Sequence, residues 1–263
     1  MELSLIELET SSGIATLALN RPQKRNAISD AMRAELIEAL ELVANDTSIR
    51  ALVITGRGNG FCAGGDIAGM KQRLQAPAGQ VAFNGWARQQ GVHHAQTLLY
   101  AMPKPTIAAV NGPATGLGAD LALACDFIMA SDAASFAWSY IHRGLIPDGG
   151  GMYFLPRRVG LSLAKELIFT GRKVAAQEAV DIGLVDRQAN AETLLAQAQA
   201  WAAELSHGSA PALALGKSIL NQSFQSSAQQ IFALGSQAQG MCYTSTEHHQ
   251  AVADFLASTV TKG

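Results

Sequence analysis

Phe61-Cys62-Ala63-Gly64-Gly65-Asp66 and Asn111-Gly112-Pro113-Ala114-Thr115-Gly116-Leu117-Gly118 are the two stretches that decide the fold. Each follows a short apolar, β-prone run, at 51–55 and at 106–110, and each leads into sequence that can begin a helix. Glycine lets a backbone approach a ligand closely, and the first N–H groups of a helix lack partners within the helix. Either loop alone is typical of a tight strand-to-helix connection. Two such loops facing each other could hold one oxygen between two N–H donors, as an oxyanion requires.

The composition indicates a globular protein of one large domain, or of one domain with an appendage. The 263 residues are 48% hydrophobic and 15% charged, and a net charge of −2 argues against general binding to nucleic acid. The three cysteines, Cys62, Cys125 and Cys242, lack metal-ligand spacing, so we expect a reduced, cytoplasmic setting. The sequence shows no signal-peptide pattern at Met1 and no apolar run long enough to span a bilayer.

Strands and helices alternate through the first two-thirds of the chain, which predicts an α/β class. Residues 5–19 predict a hairpin around Ser11-Ser12-Gly13, and Ser29 or Asp30 can cap a helix over 31–44. Further on, we expect a mobile segment over 68–79, a helix over 80–100, a buried helix of small residues over 119–124, and strands over 127–130 and 135–138. From Leu161 onward the pattern is nearly all helical, apart from 184–186.

Two other signals are weak. Residues 58–63 have the spacing of a dinucleotide-binding loop, but no Asp or Glu follows about 20 residues later to bind a ribose. The adjacent pairs His93-His94 and His248-His249 do not share a helix face, so we interpret them as surface residues and expect no metal.

With both glycine loops in place, the chain resembles the crotonase superfamily, also called the enoyl-CoA hydratase/isomerase family. The motifs that carry the resemblance are Asn20-Arg21-Pro22 with Asn26-Ala27, the stretch from Phe61 to Ile67, the stretch from Lys104 to Gly112, Ala124-Cys125-Asp126, and Gly144-Leu145-Ile146-Pro147. The resemblance implies a ββα spiral core, which we place at residues 1–198, and a C-terminal helical oligomerisation region at 199–263. It also implies an acyl-coenzyme A thioester as the substrate, with no permanently bound cofactor.

The resemblance assigns ligand contacts by position. The implied oxyanion donors are the backbone N–H groups of Gly65 and Leu117. The residues expected to contact the acyl-CoA are Ala27, Ala63, Gly64, Gly65, Asp66, Ile67, Ala68, Leu117 and Tyr140. Family members often have Lys or Arg where this chain has Ala68, so Lys24 and Arg25 are expected to supply positive charge instead.

The acidic residues depart from the hydratase pattern. Hydratases of this family place one Glu just after the second glycine loop and another before the third, whereas this chain has Asp120 and Tyr140 there. A third acid, Asp148, follows Pro147, and an acid at this position is similar to isomerases of enoyl-, dienoyl- and ring-epoxide phenylacetyl-CoA, and to a haloaryl-CoA dehalogenase. Asp120 also resembles the Asp of dienoyl-CoA isomerases, although their Glu at the Tyr140 position is absent.

These acids favour isomerisation. Syn hydration needs one group to activate water and an acid to supply the α-proton, whereas isomerisation needs one base that removes a proton and returns it elsewhere. Asp148 is the predicted base, made stronger by the apolar Leu145 and Ile146 beside it. The alternative is that Asp148 only caps a helix that begins at Gly149.

We therefore expect an enzyme that shifts a double bond through a thioester enolate. Two alternatives remain: hydration of a 2-enoyl-CoA by Asp120 with another acid, and a catalytically silent CoA-binding subunit. The pattern of the C-terminal helices also predicts an apolar face that a single domain would leave exposed to solvent. Such a face is typical of an interface, so we expect a trimer or a dimer of trimers. That face comprises Leu213, Leu215, Ile219, Leu220 and Phe232.

Overall fold

The computed structural model describes residues 3–260, apart from the side chains of residues 72, 73, 78, 259 and 260. Within this range the strands are β1 (Ile6–Ser11), β2 (Ile14–Leu19), β3 (Ala51–Gly56), β4 (Thr106–Val110), β5 (Pro113–Thr115), β6 (Phe127–Ser131), β7 (Ser135–Ala137), β8 (Val174–Ala175) and β9 (Arg187–Ala189). The helices are α1 (Asp30–Asn45), α2 (Ile67–Arg73), α3 (Ala78–Tyr100), α4 (Leu117–Leu123), α5 (Gly151–Val159), α6 (Leu161–Thr170), α7 (Ala176–Asp181), α8 (Leu194–Leu205), α9 (Ala210–Leu220), α10 (Ala228–Tyr243) and α11 (Thr246–Val260). Short 3-10 helices cover Pro22–Lys24 and Ser139–Arg143.

The larger sheet brings the two glycine loops to one edge. Its strand order is β1-β2-β3-β4-β6-β9, and every neighbouring pair is parallel except β1 with β2. Since β3 and β4 are parallel neighbours, the loops that follow their carboxyl ends emerge side by side. A smaller sheet, β5-β7-β8, extends from the second loop.

The first elements form as the sequence predicts. Strands β1 and β2 make an antiparallel hairpin whose turn places Ser12 and Gly13 at φ values of 51° and 78°. The Ser29 hydroxyl accepts a 3.2 Å hydrogen bond from the Met32 N–H and so caps α1. Helix α1 then buries one apolar face that includes Leu36 and Val43.

Helix α8 closes the other face of the larger sheet. Its buried Ala198 and Trp201 belong to one apolar cluster with Val53 of β3 and Ile107 of β4. The predicted boundary between residues 198 and 199 therefore falls inside a helix that packs on the sheet. The division into a core and an oligomerisation region stays a prediction.

Two local predictions were wrong. Residues 67–73 form α2 where a mobile segment was expected, because the Asp66 carboxylate accepts a 2.9 Å hydrogen bond from the Ala68 N–H and caps the helix. The short strands β8 and β9 were missed, and β9 lies just after the non-helical residues noted at 184–186. Strand β9 pairs with residues 129–131 of β6, so it depends on a tertiary partner that local sequence does not reveal.

The C-terminal helices expose apolar side chains, as expected for part of the predicted face. Leu220 and Phe232 are exposed, Phe232 by 72%, and Phe224 lies in the same region. Leu213, Leu215 and Ile219 are instead half-buried. Across the described part of the chain, no helix combines the length and the apolar character needed to cross a membrane.

Candidate active site

The two glycine loops are joined by their backbones. The Cys62 N–H donates to the Pro113 carbonyl at 3.2 Å, and the Thr115 N–H donates to the Cys62 carbonyl at 2.9 Å. Gly64 has φ +94°, and a Cβ atom there would lie 2.6 Å from the Thr115 carbonyl oxygen. Only glycine fits at this position, and it brings the first loop against the start of α4.

Two backbone N–H groups remain available where the loops meet. The Ile28 N–H donates to the Gly64 carbonyl, and the Asp66 N–H donates to Ile28, so the intervening Gly65 N–H points the other way. The Leu117 N–H opens α4 after Gly116, which supplies no side-chain cap. Within residues 3–260, neither the Gly65 nor the Leu117 N–H has a hydrogen-bond acceptor.

Asp120 is a buried carboxyl whose two oxygens both bind protein donors. The Trp138 indole N–H donates to Oδ1 at 3.0 Å, and the Tyr140 hydroxyl donates to Oδ2 at 2.6 Å. Burial raises the pKa of Asp120 to about 7, although these two hydrogen bonds act in the opposite direction. Asp120 therefore carries a partial negative charge near neutral pH and is already engaged by its neighbours.

Glycines make the space that Asp120 occupies. A Cβ atom at Gly149 would lie 2.7 Å from Asp120 Oδ2, and one at Gly151 would overlap with Oδ1. The side chain of Asp120 thus packs directly against the backbone of the turn that follows Pro147. This contact fixes the position of Asp148, the next predicted site residue in that turn.

Asp148 is not a helix cap. Helix α5 begins at Gly151, its preceding residue Gly150 has φ +109°, and no side chain caps it. Gly150 redirects the chain, so the helix begins too late for the Asp148 side chain to reach its first N–H groups. The alternative role predicted for Asp148 is therefore wrong.

Asp148 borders a cavity of about 340 Å³. The side chain is half-buried, and burial raises the pKa of its carboxyl, while electrostatic interactions with Arg88 and His93 act in the opposite direction. The cavity is lined from helix α3 by His93, Gln96, Thr97 and Tyr100, from the turn by residues 147–150, and from helix α5 by Met152, Tyr153 and Phe154. Asp148 is the carboxyl-bearing residue in this lining.

Helix α3 contributes residues for which the sequence pattern predicted no role in the site. His93 is exposed, as predicted for a surface residue, and its Nε2 lies 3.1 Å from the Asp148 carbonyl oxygen. Gln96 is buried in the same wall. No sequence signal marks these side chains, because their meeting with the 147–150 turn depends on how α3 packs. The structure also brings together no group of three His, Cys, Asp or Glu side chains suited to a metal among the residues it describes.

The residues expected to contact CoA lie around Arg21. Its guanidinium donates to the Ala27 carbonyl at 2.6 Å and to the Asp66 carboxylate at 3.0 Å. Hydrogen bonds from the Ala68 N–H and from Arg21 lower the pKa of Asp66, so this side chain is occupied in holding the loop. Ala63 also binds this segment, through its N–H to the Arg25 carbonyl at 2.9 Å.

The remaining predicted contacts divide into two groups. Lys24, Arg25, Ile67 and Ala68 are exposed beside the first glycine loop. Tyr140 lies beside Gly116, where its ring comes within 3.7 Å of a Cβ position at that glycine and its hydroxyl donates a hydrogen bond to Asp120.

A protein-family model described as enoyl-CoA hydratase/isomerase matches residues 9–258. The chain belongs to the enoyl-CoA hydratase/isomerase family. It is 35% identical over 257 residues to the 1,2-epoxyphenylacetyl-CoA isomerase of Escherichia coli (strain K12), which covers 98% of this chain and 96% of that protein. It is 36% identical over 244 residues to the 2,3-dehydroadipyl-CoA hydratase of the same strain, which covers 92% of each. The crystal structure of an enoyl-CoA hydratase/isomerase from Cupriavidus metallidurans CH34 gives a TM-score of 0.90 at 34% identity, covering 98% of this chain and 95% of that one.

Membership of the enoyl-CoA hydratase/isomerase family confirms the resemblance and the crotonase-like α/β fold. The protein is accordingly an acyl-CoA enzyme of the hydratase/isomerase type. The two relatives are named for different reactions, so the family alone does not separate an isomerase from a hydratase.

Proposed function

We propose that this enzyme is an enoyl-CoA double-bond isomerase in which Asp148 is the base. The observation that carries the proposal is the unequal placement of two acids. Asp148 borders the cavity, whereas Asp120 is buried with both oxygens bound to Trp138 and Tyr140. One accessible carboxylate suits a proton shuttle better than a reaction that needs two groups at the substrate.

The proposed reaction moves one proton. Asp148 removes the α-proton of a 3-enoyl-CoA, so the C–H bond breaks, an O–H bond forms on the carboxyl, and the electron pair enters a dienolate. The carboxyl then returns the proton to the γ-carbon, which leaves a 2-enoyl-CoA. Burial supports this role, because it raises the pKa of Asp148 and makes the carboxylate a stronger base than an exposed one.

The thioester oxygen would lie between the Gly65 and Leu117 N–H groups. Both groups lack a protein acceptor among residues 3–260, and the loops that carry them touch through Gly64. Donors fixed in place by the backbone stabilise developing negative charge without reorganising during the reaction. The CoA portion would follow Ala27, Ala63 and residues 64–68, with Lys24 and Arg25 near its phosphates.

The relatives supply one argument on each side. The 1,2-epoxyphenylacetyl-CoA isomerase favours the proposed class of reaction. Hydration of a 2-enoyl-CoA is the second candidate, because the 36% identical relative is named as a hydratase. In that case Asp120, whose pKa is about 7, would have to break its hydrogen bond with Tyr140 to reach a substrate.

Incubation with a panel of 2-enoyl- and 3-enoyl-CoA thioesters in ¹⁸O-labelled water separates these candidates. An isomerase converts a 3-enoyl-CoA to a 2-enoyl-CoA of the same mass, whereas a hydratase forms a 3-hydroxyacyl-CoA that carries ¹⁸O. Rapid ¹⁸O incorporation without isomerisation would refute the proposal. CoA-thioester binding without any turnover would instead indicate a silent subunit.

We also propose that the protein assembles as a trimer or as a dimer of trimers. Large apolar side chains are exposed on the segment that follows α8, and burial of such side chains between subunits is favourable. The most exposed of them are Leu220, Phe224, Phe232 and Phe255.

A further inference from the structure

We propose that Arg88 is a further functional residue of this site: its guanidinium, which α3 holds against Gly65, stabilises the negative charge that develops on the thioester. This inference rests on the proposed function, since it places the thioester oxygen at the Gly65 N–H and the proton on Asp148. It adds a cation to a site otherwise described by two N–H groups and a carboxylate.

Arg88 reaches the first glycine loop. Its side chain is only 13% exposed, and a Cβ atom at Gly65 would lie 3.5 Å from Nη2. The guanidinium therefore covers the Cα of the residue whose N–H is the proposed oxyanion donor. A partly buried charge at this distance acts through a medium that screens it less than bulk water does.

The same guanidinium acts on Asp148. Its positive charge lowers the pKa of the Asp148 carboxyl, in the same direction as His93 and against the effect of burial. The other titratable groups that interact with Asp148 are Asp120 on α4 and Tyr140 on the 3-10 helix. Arg88 differs from all of these groups because a guanidinium keeps its charge at every pH at which the fold exists.

Asp30 holds Arg88 from outside the site. Arg88 Nε lies 3.6 Å from Asp30 Oδ1, and the same oxygen accepts a 2.7 Å hydrogen bond from Arg33. The Asp30 side chain is 64% exposed and binds Arg33 more closely than Arg88. Screening by water and the charge of Arg33 therefore both reduce how far Asp30 offsets the positive charge of Arg88. Asp30 thereby helps to fix the position of Arg88 beside Gly65.

This position predicts a specific effect on the reaction. Before proton transfer the negative charge lies on Asp148, and afterwards it lies on the enolate at Gly65. Arg88 faces a negative charge throughout, and because its Nη2 lies against Gly65 the proposal places its stronger interaction at the enolate. Arg88 should therefore increase kcat with a smaller effect on KM.

Arg33 provides a matched control, because it is another arginine that binds Asp30 and it lies against Gly91 instead of Gly65. We expect Arg88→Gln to lower kcat on a 3-enoyl-CoA by about tenfold to a hundredfold, less than the loss of a direct oxyanion donor. Arg88→Lys should recover part of this loss, and Arg33→Gln should keep the wild-type kcat. Equal kcat values for wild type and Arg88→Gln would overturn the proposal.

A titration separates this inference from the proposed function. The Asp148 carboxyl is followed by ¹³C NMR in the ligand-free protein, with Asp148→Asn to assign its signal. The pKa of Asp148 should rise in Arg88→Gln and stay unchanged in Arg33→Gln. Absence of a rise would overturn the inference even where turnover is normal. Failure of the wild type to isomerise any 3-enoyl-CoA would refute the proposed function, and the titration would still decide whether Arg88 acts on Asp148.

Asp30→Asn tests the inference should Arg88→Gln fail to fold. This exposed substitution removes the acid that Arg88 and Arg33 share, so the field of Arg88 on the site should strengthen. We expect the pKa of Asp148 to fall and kcat to be at least that of the wild type. A rise in the pKa of Asp148 would contradict the inference.

Discussion

The Tyr140 hydroxyl donates a 2.6 Å hydrogen bond to Oδ2 of Asp120. The resemblance places these two residues where hydratases of the family are expected to have two glutamates, and here they bind each other. Tyr140 stands in place of one carboxylate, and its hydroxyl binds the other, Asp120. Asp148 is therefore the carboxyl that faces the cavity. We base the proposed preference for isomerisation on this contact together with the position of the half-buried Asp148 at the cavity.

Tyr140→Phe should destabilise the protein in a pH-dependent way. The phenol stabilises the ionised form of Asp120, so its loss raises the pKa of Asp120 further above 7. The free energy of unfolding should fall by about 1–3 kcal/mol at pH 8, where wild-type Asp120 is mostly ionised, and by less at pH 5. Urea unfolding at both pH values measures this, with the exposed Tyr243→Phe as the control. An equal loss at both pH values would contradict the role given to this bond.

Asp120 itself should make the wild type less stable as the pH rises. Its ordinary pKa of 3.8 applies in the unfolded chain and about 7 in the folded one, so the folded state binds the proton more tightly. This contribution is fully present below about pH 4 and is lost as the pH rises through about 7. Between these limits Asp120 should lower the free energy of unfolding by roughly 1.4 kcal/mol per pH unit. Asp120→Asn should remove this slope, and a slope unchanged from the wild type would refute the assignment.

Asp148→Asn should abolish most isomerisation while the protein folds and binds acyl-CoA. Asparagine keeps the size of the side chain but cannot take a proton, so the loss should be on the order of 10²–10⁴-fold. In heavy water, exchange of the α-proton of a 3-enoyl-CoA should nearly vanish, as followed by NMR. The acidic limb of the wild-type profile of kcat/KM against pH should lie above the ordinary pKa of an aspartate, because burial raises the pKa of Asp148.

Asp120→Asn is the matched control for that experiment, and it should cost less activity than Asp148→Asn. The reverse ranking would assign the base to Asp120 and favour hydration. Exchange at the wild-type rate in Asp148→Asn would remove Asp148 from the reaction altogether.

Leu117→Pro tests the oxyanion assignment. Leu117 is the first residue of α4, a position where proline is well tolerated, and the preceding Gly116 has no Cβ to clash with the proline ring. The substitution removes the N–H and should raise the barrier by ~3 kcal/mol. Leu117→Ala loses the same side chain but keeps the N–H, so it should retain most of the activity. Full activity in a folded Leu117→Pro variant would refute the assignment.

Phe232→Glu should disrupt assembly. The wild type should give a mass of three or six times 27.6 kDa by light scattering at micromolar concentration. A carboxylate introduced at an apolar interface is costly to desolvate, so Phe232→Glu should shift the mass towards the monomer. Leu42→Glu places the same charge on an exposed position of α1 and should leave the mass unchanged. A monomeric wild type would exclude the proposed assembly.

Local signals in the sequence predicted the parts of the fold that local forces determine. The turn at Ser12-Gly13, the Ser29 cap and the apolar strands before the glycine loops all appear where the pattern placed them. Helix α2 was missed because its composition is mixed and the following Ala76-Pro77-Ala78-Gly79 favours an irregular segment, whereas the Asp66 cap begins a short helix before it. Strand β9 was missed because only its pairing with β6 makes it a strand.

The candidate site could be proposed from the sequence where it follows from the motifs, but not where helix α3 enters it. Gly65 and Leu117 lie in the glycine loops and Asp148 directly follows a motif, so the sequence suggests them as site residues, and their roles stay predictions. Arg88 and His93 reach the site only because the packing of α3 turns them towards segments 23 and 55 residues away along the chain. Nothing in the spacing of residues along α3 encodes that orientation.

The fit of Asp120 against Gly149 and Gly151 has a consequence for laboratory evolution. Each of the three residues occupies space that a larger neighbour would need, so an added methyl group at either glycine would overlap with the carboxylate. Alanine at Gly149 would require both Asp120 and Leu117 to give way, and alanine at Gly151 would require Asp120 and Pro147 to do so. Glutamate at 120 would need the turn to be rebuilt. The three positions therefore show strong epistasis, and single substitutions that enlarge any one of them should damage the enzyme. A route towards a second carboxylate in the cavity has to change Asp120 together with the turn.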